Sequence, residues 1–138
     1  MKILLVDDEQ ALLAAIQRTL VHQGHEVEAT NDPAQGVKMA ESGDYDFALV
    51  DFMMPLHNGI WFMKNARLPK KTKVLLMTAH VDRDVINDMF KLGVRGYLIK
   101  PIDQDDLAHH LAFHSRSKTS VQSESVNRSA DLPEDQPS

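Results

Sequence analysis

The chain has 138 residues, 43 % apolar and 25 % charged, which is enough for one ordinary domain with a sizeable core and too little for two comfortable ones. Fifteen Lys and Arg against twenty Asp and Glu leave a net charge of −5, which argues against a broadly basic nucleic-acid binder, and the lack of cysteine excludes a disulfide scaffold, a thiolate zinc site and a thiol nucleophile. No apolar run reaches the roughly 18 residues of a membrane span, and the opening MKILLVDDE runs straight from a short apolar stretch into acid, unlike a signal peptide, so a cytoplasmic protein with no membrane partner is expected.

Taken in chain order, short β-like runs alternate with helical patterns. Lys2–Val6 is a continuous apolar run that stops at acids, as a strand buried on both faces does. Gln10–Val21 follows with Leu13, Ile16 and Leu20 on one helical stripe, and Gly24 is placed to end it. Glu26–Thr30 is a weaker, alternating strand. Asn31 or Asp32 can cap the next helix, with Pro33 in its first turn and Gly43 at its close. Phe47–Val50 reads as the third strand, Gly59–Leu68 as a short helix stopped by Pro69, Val74–Met77 as the fourth strand and Asp82–Leu92 as a helix ended by Gly93. Gly96–Ile99 is the fifth strand and Gln104–Phe113 the last helix. Met39, Met77 and Met89 read as core, as do most of Trp61, Phe62 and Met63.

Five βα units in succession imply an α/β fold: a five-stranded parallel sheet, doubly wound, (βα)5 and flavodoxin-like, with strand order 2-1-3-4-5. This covers residues 1–114. From Ser115 to Ser138 the chain carries seven serines, no aromatic residue and only scattered Val121, Val126 and Leu132, so that a flexible Ser-rich tail or linker is expected.

In such a sheet, ligands bind beyond the carboxyl ends of the strands. Strand one ends in Asp7-Asp8-Glu9, strand three in Asp51, strand four in Thr78 and strand five in Lys100-Pro101. Each residue alone has an ordinary explanation: Asp8 as a helix cap, Asp51 as a turn acid, Thr78 as a cap, Lys100 as a solvated edge lysine. Together they bring three carboxylates into one cleft, where mutual repulsion favours a neutralising cation, and hard oxygen ligands suit Mg²⁺ (or Mn²⁺). A hydroxyl and an ammonium beside such a metal are groups that cradle phosphoryl oxygens, and one carboxylate could then accept a phosphoryl group as an acyl phosphate.

These motifs, Asp7-Asp8, Asp51 with Met53-Met54-Pro55 and Gly59, Thr78-Ala79 and Lys100-Pro101, resemble the receiver domain of two-component response regulators, of the chemotaxis type, over residues 1–114. The resemblance implies that Asp51 is the phospho-acceptor, supplied by a phosphohistidine on a sensor histidine kinase or histidine phosphotransfer protein. It implies that Asp7, Asp8, Asp51 and the backbone carbonyl of Met53 hold the metal. Thr78, the Ala79 backbone and Lys100 would contact the phosphoryl oxygens, Tyr97 would be the switch aromatic, and the Lys100–Pro101 bond would be cis. Met53 and His80 stand where the family tunes phosphoryl lifetime, and the apolar Met53 implies slow loss of phosphate. The output would be a changed helix 4/strand 5/helix 5 surface, for a downstream output domain or protein or for a homodimer. Asn58 stands where the family often has an acid and is expected to serve the turn.

Other readings are weaker. A small Mg-dependent phosphohydrolase with an aspartyl-phosphate intermediate uses the same groups, but its nucleophile follows strand one and its paired acids come late, the reverse of the order here. A flavin carrier on this fold would carry a Ser/Thr/Gly-rich phosphate loop where this chain has three acids. A signalling receiver whose only chemistry is its own phosphorylation and dephosphorylation fits best. His110 and His114, at i, i+4 on the last helix, have metal-chelating spacing, but a solvated helix end is the simpler reading. No helix-turn-helix or basic face points to direct nucleic-acid binding by this chain.

Overall fold

The structure, a computed structural model, describes residues 1–115. The tail expected from Ser115 onward lies, apart from that serine, outside the described residues. The described residues divide into two units, 1–107 and 108–115. In order, the elements are β1 (Lys2–Val6), α1 (Gln10–His22), β2 (Glu26–Thr30), α2 (Pro33–Ser42), β3 (Phe47–Asp51), α3 (Gly59–Asn65), β4 (Lys73–Thr78), α4 (Arg83–Lys91), β5 (Gly96–Ile99) and α5 (Gln104–Ser115). All strand pairings are parallel, in the order β2-β1-β3-β4-β5 that the βα alternation implies.

The central strands read as unbroken apolar runs because both of their faces are covered. Alternate residues Leu4, Val6, Ala48, Val50, Val74 and Leu76 join Ala40 of α2, Phe62 of α3, and Ile86 and Met89 of α4 in one buried cluster. The intervening Ile3, Leu5, Leu49, Leu75 and Met77 point to the other face, the side on which α1 buries Leu13, Ile16 and Leu20. Each such side chain contributes about 1.5–3 kcal/mol on burial. That packing holds α3, whose 7 residues are far too few for an isolated helix to persist. The edge strand β2, half exposed, keeps the alternating pattern.

Caps set most helix boundaries. The Asp32 carboxylate accepts from the Ala34 N–H at 3.0 Å, with Pro33 following, and Asp82 accepts from the N–H groups of Asp84 and Val85. Asn58 does more than form a turn: its side chain caps α3 by accepting from the Trp61 N–H at 3.0 Å. Gly24 and Gly93 end their helices with φ of +96° and +108°. Gly43 closes α2 for a different reason. Its backbone is ordinary, with φ −90°, but a Cβ there would collide with the Tyr45 ring and lie 2.8 Å from the Met39 carbonyl oxygen.

Several expectations change in detail. The third helix ends at Asn65 instead of running to Leu68. The Asn65 amide donates to the Trp61 carbonyl at 2.8 Å, Ala66 turns extended, the Arg67 N–H goes to the Glu41 carboxylate at 2.9 Å, and Leu68 is held extended by the following Pro69. Asp51 and Thr78 prove to be the last residues of their strands. Met39 is only partly buried, and Ala40 takes the core position beside it. Asp8 does not cap α1, whose N-cap is Glu9 with no side-chain bond. In the second unit, His114 is not a solvated end: it is 9 % exposed, its ring edge-on to Phe113 at 5.0 Å and stacked with His110 at 5.9 Å.

The two kinds of glycine should separate experimentally. Gly43→Ala is expected to lower thermal stability by about 1–3 kcal/mol through overpacking. Gly24→Ala, with nothing within 4 Å of the added methyl, should cost only about 1 kcal/mol of backbone strain. Denaturant melts of both variants test the order.

Candidate functional site

Strand register assembles the site. Val6 of β1 is level with Val50 of β3, so the next residues, Asp7 and Asp51, leave the sheet side by side. Thr78 is level with Ile99, which delivers Lys100 one step beyond, and the Lys100 N–H donates to the Thr78 carbonyl at 2.8 Å. The Lys100–Pro101 peptide is cis. Parallel strands that all end at one edge thus put residues from positions 7 to 100 into one cluster.

The Lys100 ammonium is the hub. Nζ lies 2.9 Å from Oδ2 of Asp7, 3.1 Å from Oδ1 of Asp51 and 3.9 Å from Oε1 of Glu9. Asp7 is fully buried and Asp51 is 3 % exposed, whereas Asp8 and Glu9 are open to solvent. Oδ1 of Asp7 also accepts from the Glu9 N–H at 2.9 Å, and Oδ1 of Asp51 from the Met53 N–H at 3.4 Å. Far from being a solvated edge lysine, Lys100 has a side chain only 16 % exposed.

Burial pushes the Asp51 carboxyl up to about 6, against the pull of the Lys100 ammonium and with the Asp7 charge adding to the rise. For Lys100, burial acts to lower the pKa, but the bonds to Asp7 and Asp51 together outweigh it and the ammonium is held above its ordinary range. Carboxylate oxygens of Asp7, Asp8 and Asp51 come within 4.8 Å of one another. Three carboxylates against one ammonium leave two uncompensated negative charges, a hard-oxygen donor set that fits a small divalent cation.

The remaining residues named from the sequence lie around this cluster. Thr78 is buried at the end of β4, its hydroxyl donating to the His80 carbonyl at 2.8 Å and accepting from the His80 N–H at 3.2 Å, with Ala79 inside that turn. The Met53 side chain is exposed. Tyr97 stands back from the cluster, level with Leu76 and edge-on to the Phe90 ring at 6.4 Å. Two features went unread in the sequence. Glu9 reaches towards Lys100 and belongs to the same acidic run as Asp7-Asp8, which was the available signal. Leu56, exposed with φ +70°, carries no sequence signal at all.

A family profile described as "Response regulator receiver domain" matches residues 3–112. The chain belongs to that family. This receiver is 33 % identical over 106 residues to the response regulator ArlR of Staphylococcus saprophyticus, covering 77 % of this chain and 48 % of that one. It is 29 % identical to the transcriptional regulatory protein DltR of Streptococcus agalactiae, covering 88 % and 54 %. The chain therefore spans about half the length of these regulators. With the chemotaxis protein CheY-3 of Vibrio cholerae it shares 33 % identity over 80 % of this chain and 88 % of the relative. Among solved structures, a receiver domain from Clostridium thermocellum superposes with a TM-score of 0.77 at 27 % identity, covering 87 % of this chain and 98 % of that one. CheY4 of Vibrio cholerae superposes with a TM-score of 0.75 at 27 % identity, covering 80 % and 95 %. The protein is thus a receiver domain of two-component signalling, and among the described residues no helix is long and apolar enough to cross a membrane.

The raised Asp51 pKa has a thermodynamic consequence in metal-free protein. Folded Asp51 keeps its proton to about 6 and the unfolded residue only to 3.8, so the folded state binds more protons in that window and stability falls as pH rises through it. Removing the charge by Asp51→Asn should therefore stabilise the chelator-treated protein at pH 7.5, by an amount on the order of 1 kcal/mol after allowance for solvent screening. At pH 3.5 the gain should vanish. Thermal melts of both proteins in EDTA at the two pH values check this.

Proposed function

We propose that Asp51 accepts a phosphoryl group from a phosphohistidine on a sensor histidine kinase or histidine phosphotransfer protein. The observation that carries this reading is the Lys100 ammonium seated 3.1 Å from a buried Asp51 and 2.9 Å from Asp7, a cation already placed where phosphoryl charge would develop. In the transfer, an oxygen of Asp51 forms a bond to phosphorus as the phosphorus–nitrogen bond to the donor imidazole breaks, its electron pair returning to that ring. Asp7, Asp8, Asp51 and the backbone carbonyl of Met53 would hold Mg²⁺ or Mn²⁺, which when bound neutralises the oxygens of the transferring group.

The protein's own groups then respond. Asp51 becomes a bulkier, more negative acyl phosphate with additional strong acceptors. Lys100 keeps one oxygen neutralised, and the Ala79 N–H and the Thr78 hydroxyl turn to the others, the hydroxyl leaving the His80 carbonyl that it now serves. Tyr97, the switch aromatic, follows Thr78 inward. The changed surface is the α4–β5 face, where Phe90 and Ile99 stand exposed for an output domain, a partner or a second copy. Met53 and His80, which flank the site, set the lifetime of the acyl phosphate. The protein works in the cytoplasm as a signalling receiver, whose chemistry is limited to its own phosphorylation and dephosphorylation.

Incubation with a labelled phosphohistidine donor and Mg²⁺ should leave acid-stable, base-labile label on the protein. Asp51→Asn should reduce it about 100-fold or more, as should EDTA. Equal labelling of the Asn variant would overturn the assignment, and steady release of phosphate from monoesters would favour the phosphohydrolase instead. Met53→Asn, a small polar residue in the lifetime-setting position, is expected to speed loss of label about threefold to tenfold; an unchanged rate rules out that role for Met53.

A further inference from the structure

The mouth above Asp51 has two chemically different sides. Eight large apolar side chains are exposed among the described residues, and three of them, Met53, Leu56 and Val81, lie in the loops that leave β3 and β4 at the site. On the β1 side the exposed residues are Asp8 and Glu9, with Oε1 of Glu9 3.9 Å from the Lys100 ammonium.

Leu56 is the extreme case. It is 95 % exposed and holds a φ of +70°, a conformation that side-chain-bearing residues avoid and that Gly or Asn adopts readily. The loop that carries it is tied on every side. The Gly59 N–H donates to the Phe52 carbonyl at 2.9 Å and the His57 N–H to the Pro55 carbonyl at 2.7 Å. Asn58 caps α3, and the His57 ring stacks on Trp61 at 3.8 Å. Leu56 is thus a large apolar side chain kept outward by a fixed loop, with no fold contact to gain from it. Backbone held in an unfavourable region collects at functional sites, and grouped exposed apolar residues mark places where another molecule sits.

The acceptor itself sets who that molecule is. Asp51 is 3 % exposed, so a phosphohistidine carried on a protein reaches it only when that protein's surface is pressed against the rim. We propose that Leu56 and Val81, beside Met53, form the apolar half of the docking rim for the phosphohistidine protein. That partner carries an apolar side chain flanking its histidine on the side facing β3 and β4, and Lys or Arg on the side facing Asp8 and Glu9. The proposal rests on Asp51 being the acceptor, and it adds which residues admit the donor and in which orientation.

The test compares two donors on the full chain with Mg²⁺. Phosphoramidate is small and needs no rim, whereas a purified phosphohistidine protein does; the one used is the fastest donor to the unmutated chain from a panel of such proteins. Leu56→Asn keeps the left-handed backbone and removes the apolar surface, and Val81→Ser does the latter alone. Each is expected to slow transfer from the protein donor about tenfold and to leave phosphoramidate labelling within about twofold. Leu56→Met should restore transfer, and added NaCl should slow the protein donor more than phosphoramidate. Equal rates for the variants and the unmutated chain with the protein donor overturn the proposal. So does an equal loss with phosphoramidate, which would mean the rim acts on the site itself, and so does a panel in which no protein donor labels a chain that phosphoramidate labels. If Asp51→Asn still takes label from phosphoramidate, the acceptor assignment fails instead, a distinct result.

Discussion

A single ammonium held between two buried carboxylates organises this protein. Asp7 and Asp51 are brought side by side with almost no access to water, a placement that would drive one of them to take up a proton if nothing opposed it. Lys100 opposes it from 2.9 and 3.1 Å, yet one positive charge cannot satisfy two carboxylates and the nearby Asp8, and the Asp51 carboxyl stays raised, at about 6. The site is therefore electrostatically unfinished. A small divalent cation is the kind of ligand that completes it, by its charge.

The rest of the fold serves that arrangement. Parallel register makes Asp7 and Asp51 neighbours, and the Lys100 N–H bond to the Thr78 carbonyl ties the end of β5 to the end of β4. The apolar layers on both faces of the sheet give these strand ends little freedom to part, so the repulsion among the acids is borne by packing instead of being relieved by movement. In the proposed switch the parts that move are side chains and turns: the Thr78 hydroxyl, now occupied by His80, and Tyr97, edge-on to Phe90. The bond from the Thr78 hydroxyl to the His80 carbonyl is neutral, modest in energy beside a charge-assisted bond to a phosphoryl group.

Around the site the loops divide the labour. The β1–α1 loop supplies acid, the β3–α3 loop supplies a backbone N–H to Asp51 together with exposed Met53 and Leu56, and the β4–α4 turn holds Thr78 in place. In the proposed docking, a buried Asp51 with a chemically uneven rim would admit a partner in one orientation more readily than in others, selectivity that needs no deep pocket.

Much of this was legible in the chain itself. Unbroken apolar runs such as Lys2–Val6, alternating with helical stripes such as Leu13, Ile16 and Leu20, determine a parallel, two-sided sheet, because each run must be buried on both faces and each stripe on one. The acids and lysine at the strand ends likewise point to residues that meet in the structure, since parallel strands deliver their ends to one edge. Local competition was less visible: α3 stops at Asn65 because a side-chain amide, a distant Glu41 and a proline draw its last turn away, and His114 is buried although its composition reads as a solvated end. Only the tertiary structure decided that Lys100 bonds both buried acids, that Gly43 is needed for the space its neighbour Tyr45 fills, and that Leu56 stands outward on a left-handed backbone. Those are properties of where side chains come to lie in space and of dihedral angles set by loop closure, and neither is encoded in the spacing of residue types.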